Sequence, residues 1–206
     1  MSKWIRRGVL PAVCLLALAA AGCGDLVRQG HGPSLATVTM LEGSSGASPG
    51  EWAGTLLSDV VTYVERDVNG ATVRVPTIFN DSGRATVTVE MKDPGTSPTT
   101  INSVTFTRYR VTYRRADGRN TPAVDVPAGF DSAVTFTAAP GSPGQAAFDI
   151  VRHVAKEESP LVGLVSNPDL ITAIATVTFY GQDHAGNEVA ASGNIGITFG
   201  NFGDPD

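Results

Sequence analysis

Between residues 84 and 92 the chain sorts its side chains by parity: Ala85, Val87, Val89 and Met91 fall on one side, and Arg84, Thr86, Thr88, Glu90 and Lys92 on the other. A side-chain period of two belongs to a strand, and a strand with one apolar face must bury it against a second layer. The same pattern recurs along most of the chain after residue 34. Ala36, Val38 and Met40 alternate with Thr37 and Thr39, and Val134 and Phe136 alternate within 132–138. Ala173, Ala175, Val177 and Phe179 line one late strand, and Val189, Ala191, Gly193, Ile195, Ile197 and Phe199 line the next. Residues 146–154 also fit helical spacing through Ala147, Ile150, Val151 and Val154, but their β-branched content favours a strand.

Two local signals refine the pattern. Residues 59–67 and 71–79 flank Asn69-Gly70, a dipeptide suited to the two positive φ angles of a type I′ hairpin turn. Residues 101–115 change phase: Val104 and Phe106 share one face, but Tyr109, Val111 and Tyr113 lie an odd number of positions away. One extra residue near Thr107 or Arg108 puts all five inside, which is what a β-bulge does. Residues 159–166 read as one short helical turn, with Pro160 following a capping serine. About nine strands separated by Gly and Pro predict two packed antiparallel sheets over 34–202.

The connection between the last two strands, Asp183-His184-Ala185-Gly186-Asn187, resembles the Asp-x-Ala-Gly-Asn turn of many bacterial immunoglobulin-like domains. The resemblance implies an all-β fold, an immunoglobulin-like antiparallel β-sandwich, with Gly186 or Asn187 in a left-handed conformation. The tryptophan and cysteine pair of antibody domains are missing. Trp52 lies instead in a Gly/Ser/Pro-rich stretch, 43–54.

The first 22 residues have a basic start (Lys3, Arg6, Arg7), an apolar run from Val9 to Ala21 and a small-residue end, the layout of a signal peptide. Ala20-Ala21-Gly22-Cys23 resembles the lipobox of bacterial lipoproteins, with Ala20 where Leu is commonest. That resemblance implies cleavage after Gly22 and diacylglycerol on Cys23, so that the membrane becomes the first partner. Two or three acyl chains, at roughly 0.8 kcal/mol per buried methylene, far exceed the hold of one. Residues 24–33, with Gly24, Gly30, Gly32 and Pro33, read as a flexible tether. Gly24 directly after the cysteine, with Asp25 one later, leans towards the outer membrane, facing the periplasm or the cell surface.

Cleavage leaves Cys23 as the sole cysteine, so neither an intramolecular disulfide nor a cysteine-based zinc site is available. Loss of Lys3, Arg6 and Arg7 leaves 12 Lys and Arg against 20 Asp and Glu, a net charge of −8. That balance argues against nucleic acid, which is held through basic side chains on phosphates. No nucleophile elbow, zinc-protease helix or phosphate loop accompanies His31, His153 and His184. The sequence therefore assigns no catalytic residue, cofactor or metal, and His153 is the one core-adjacent candidate for an envelope hydrolase. Asp183, Asn187 and Glu188 offer hard oxygens, but their simpler use is to bond the turn backbone.

Arg108, Arg110 and Arg114 share one face of the long strand. They are the candidate patch for an envelope protein or polymer, unless acidic neighbours such as Glu90 neutralise them. An exported carbohydrate-binding module is the other reading. It needs exposed aromatics in a row, and Tyr63, Tyr109 and Tyr113 fall mostly on faces expected to be buried.

Overall fold

In residues 32–202, which the computed structural model describes, the alternating segments form ten strands: β1 (Ser34–Ser44), β2 (Thr55–Asp59), β3 (Thr62–Val68), β4 (Ala71–Thr77), β5 (Asp81–Met91), β6 (Val104–Arg114), β7 (Phe130–Ala138), β8 (Gly144–Val151), β9 (Ile171–Asp183) and β10 (Glu188–Gly200). Gly22, Cys23 and the tether up to His31 lie outside the described residues. A three-stranded sheet in the order β1-β5-β8 faces a five-stranded sheet in the order β2-β10-β9-β6-β7. The fold is an all-β sandwich.

The core lies between the sheets because each strand turns its apolar parity inward. Phe179 on β9 is its hub. Its ring meets Phe136 edge-on at 5.5 Å and Phe148 at 5.3 Å, with Tyr109 and Phe106 just beyond 6 Å. Each such ring contributes about 1.5–3 kcal/mol by leaving water. Tyr109 and Tyr113 reach across the sandwich, their hydroxyls donating to the Asp149 and Ile150 carbonyls of β8 at 3.1 and 2.7 Å. Burial raises the Tyr113 phenol above its ordinary range, so it stays a neutral donor.

The bulge falls at Thr107, where the register of β6 slips against both β7 and β9, and Val104, Phe106, Tyr109, Val111 and Tyr113 are all buried. Gly181 sits opposite Phe106 beside the bulge. A Cβ on Gly181 would land against the Thr105 carbonyl oxygen and the Phe106 backbone. Gly181→Ala must therefore push β6 and β9 apart, with an expected loss of about 1–3 kcal/mol in urea denaturation. Asn69 and Gly70 have φ of 57° and 84°, as the hairpin turn requires.

Several expectations need correction. β2 runs parallel to β10, so the larger sheet is mixed. The 69–70 hairpin, β3 with β4, forms a separate two-stranded sheet, which leaves Tyr63 40% exposed. A bulge between Val38 and Met40 turns Met40 outward, 38% exposed, and brings Leu41 against the core in its place. β8 stops at Val151, and His153–Glu157 form a single helical turn, α1, so Val154 is exposed. A 3₁₀ turn follows at Leu161–Val165, after Pro160.

The registers give the sandwich two poles. Ser34 pairs with Met91, Val104 with Asp183, and Gly32 lies near Asn187. The described chain therefore enters beside the β9–β10 turn. Ser44 pairs with Ser82, Asp81 with Val151, and Asp59 with Gly200. Those contacts place residues 45–54, the β3–β4 hairpin, 115–129 and 152–170 at the opposite pole.

Candidate functional site

Arg108, Arg110 and Arg114 point away from the core, on the outer face of the five-stranded sheet. The alternation of β6 after its bulge puts them there. Asp131 on β7 sits between the first two, with Oδ1 2.7 Å from Arg108 Nη1 and Oδ2 3.6 Å from Arg110 Nε. The acidic neighbour is therefore Asp131 and not Glu90, which lies opposite Leu35 in the other sheet. Arg114 makes no ion pair among the described residues. At the end of β6, Asp117 bridges Arg115 and Arg119 at 2.6 and 2.9 Å. Hydrogen bonds from Arg115, and then from Arg119, lower its carboxyl to about 2.

The Arg108 guanidinium lies 4.1 Å from the centre of the Tyr180 ring, a cation–π arrangement. It borders a shallow cleft of about 570 Å³, whose other walls include Thr105, Thr107, His184 and Glu188. Beyond it the face is paved with hydroxyls and amides bonded across strands: Thr176 Oγ1 donates to Asn194 Oδ1 at 2.7 Å, and the Thr178 and Ser192 hydroxyls meet at 2.9 Å. Three guanidiniums beside a flat polar sheet can take carboxylate, phosphate or sugar-alcohol groups in several registers. Because the Arg108–Asp131 pair is half exposed, Arg108→Ala should cost less than about 1 kcal/mol of stability. Thermal denaturation checks this, and it makes the residue safe for binding tests.

At the far pole Trp52 is half-buried, with the Arg84 guanidinium 4.7 Å from its ring centre and Arg84 Nε on Glu42 Oε2 at 2.5 Å. Clefts of about 450 and 600 Å³ flank it. His153 is exposed on α1, its Nδ1 2.9 Å from Asn80 Oδ1, so it is a surface residue bonded to a loop amide and not core-adjacent. Tyr109 and Tyr113 are buried while Tyr63 is exposed, so these three tyrosines form no aromatic row. At the near pole the Asp183 carboxylate accepts from the Ala185 and Asn187 backbone N–H groups at 3.0 and 2.8 Å and from the Asn187 side chain at 2.8 Å. Gly186 takes the left-handed angle, with φ of 85°.

One cluster has no counterpart in the sequence reading. Lys156 of α1 and Asp81, the first residue of β5, are 1% and 0% exposed. Lys156 Nζ donates to Asp81 Oδ1 and to the Asp59 carbonyl, both at 2.8 Å. Gly46 N–H donates to Asp81 Oδ1 at 2.9 Å and Ser58 Oγ to Oδ2 at 2.6 Å. Burial raises the Asp81 carboxyl above its ordinary range, against the opposing pull of Lys156, Ser58 and Gly46.

No helix among the described residues is long and apolar enough to cross a membrane. No protein-family model, curated protein or solved structure matches the chain.

Proposed function

We propose that this chain is a lipid-anchored bacterial envelope protein with a non-catalytic binding or structural role: Cys23 carries the acyl chains, 24–33 is the tether, and the sandwich is the presented body. The observation that carries the reading is the leader ending in Ala20-Ala21-Gly22-Cys23. The geometry suits it. Residue 32 lies at one pole, and four long connections, with Trp52 among them, lie at the other. A tether of about ten residues spans at most ~35 Å, so those loops face away from the bilayer. The favoured membrane is the outer one, because Gly24 follows the cysteine.

The sandwich is of the immunoglobulin-like kind on this reading. Its support is the strand order. β6-β9-β10 with β7 beside β6 follows the C-F-G sheet with its extra C′ strand, and β1-β5-β8 follows A-B-E. The partner surface is the arginine face, which opposes the charge of −8 left once the leader is removed and suits an acidic envelope protein or polymer.

Cys23→Ser should move the protein from the detergent phase to the aqueous phase on fractionation of native cells. An unchanged membrane pool would remove the anchor from the proposal. The triple variant Arg108→Glu, Arg110→Glu, Arg114→Glu should lose at least tenfold in recovery of the bound envelope fraction, and undiminished recovery would retire the patch.

A further inference from the structure

The mature chain has one cysteine and no disulfide to close its far pole. At that pole an amine and a carboxyl group, 75 positions apart in sequence, meet at 2.8 Å with both side chains fully withdrawn from water. One carboxyl C–O bond, about 1.23 Å, separates Oδ1 from Cγ. Lys156 Nζ is therefore no more than about 4 Å from the carbon it could attack, close to the range of a near-attack conformer.

We propose that Lys156 and Asp81 condense into an intramolecular amide, joining Nζ to Cγ and tying α1 covalently to the first residue of β5. The surroundings suit each step. The Lys156 ammonium passes one proton along its hydrogen bond to Asp81 Oδ1, giving a neutral amine and a carboxylic acid. Burial favours the acid form that receives the proton, because it raises the Asp81 carboxyl as described above. The Asp59 carbonyl holds a second Nζ hydrogen at 2.8 Å and so orients the amine. Its lone pair forms the C–N bond, and the charge that develops on Oδ2 faces the Ser58 hydroxyl at 2.6 Å, a donor placed as in an oxyanion hole. A further Nζ proton moves to Oδ1, the Cγ–Oδ1 bond breaks, and one water leaves. One ammonium and one carboxylate become one amide and one water, so no oxidant or co-reactant enters.

Two physical terms favour the product. Held reactants behave as if at about 10⁵–10⁸ M. The amide is neutral and replaces a buried ion pair whose desolvation is costly. A buried cross-link of this kind does for a disulfide-free exported body what a disulfide does elsewhere.

The test is peptide mapping of the full-length protein purified from its membrane. Trypsin does not cut after an acylated lysine, and residues 157–206 contain no Lys or Arg. The expected digest joins 75–84, which contains Asp81, to 153–206, with a mass one water below the sum of the two peptides. The joined species should exceed free 75–84 at least tenfold. Lys156→Arg keeps the positive charge but removes the primary amine, so 75–84 should be released intact. Free 75–84 together with cleavage after Lys156 in the native protein would overturn the proposal. So would a lost water that persists in Lys156→Arg.

Discussion

Lys156→Ala is expected to lower the unfolding free energy by about 3–5 kcal/mol, the usual cost of stripping one member from a buried charge pair. The loss arises because Asp81, 0% exposed, keeps only the Gly46 and Ser58 donors, while the Asp59 carbonyl loses its partner. If the two side chains are joined covalently the loss is larger. Closing a loop of that length removes about 4.5 kcal/mol of unfolded-state entropy in the chain-entropy model. Lys156→Arg separates the two contributions, because it keeps a cation beside Asp81 but has no amine to condense. An ion pair alone keeps part of its stability in that variant, whereas a cross-link is lost as completely as in Lys156→Ala. Urea denaturation of the purified full-length variants reads both effects. A loss below about 1 kcal/mol for Lys156→Ala would mean that the pair is solvated as a surface pair is.

The second large effect belongs to Phe179→Ala, expected to cost about 3–5 kcal/mol. Phe179 is fully buried at the centre of β9, and its ring contacts come from both sheets: Phe106, Tyr109 and Phe136 on one, Phe148 on the other. Truncation leaves a cavity walled by rings held on three other strands, β6, β7 and β8, which cannot collapse without moving the sheets together. Phe179→Leu, which keeps most of the volume, should recover more than half of the loss in the same denaturation experiment. Near-equal losses for the two variants would mean that the edge-on ring geometry, and not the filled volume, carries the stability. A loss under about 1 kcal/mol for the alanine variant would contradict the placement of Phe179 at the hub.

The parts of this fold that the sequence announces are those fixed by neighbours in the chain. Thr107 had to bulge because five large side chains on β6 change parity there, and Asn69-Gly70 had to turn because few other dipeptides accept two positive φ angles. β2 was hidden because Thr55-Leu56-Leu57-Ser58-Asp59 does not alternate cleanly. Its pairing with β10 depends on a strand more than a hundred residues away. Met40 misled because a single-residue bulge reverses every parity after it. The arginines of β6 were legible as a face, whereas their neighbour Asp131 emerged only once β7 lay beside β6. Lys156 gave no signal at all. It stands in the polar run Lys156-Glu157-Glu158, which reads as solvated helix surface, and its burial depends on α1 folding back over the ends of β2 and β5.

The lipid anchor is tested most directly by mass spectrometry of the N-terminal peptide from protein isolated in its native cells. The proposed function predicts a peptide that begins at Cys23 and carries a diacylglyceryl thioether. A free thiol on Cys23, or a chain that continues unbroken through Gly22, would contradict it.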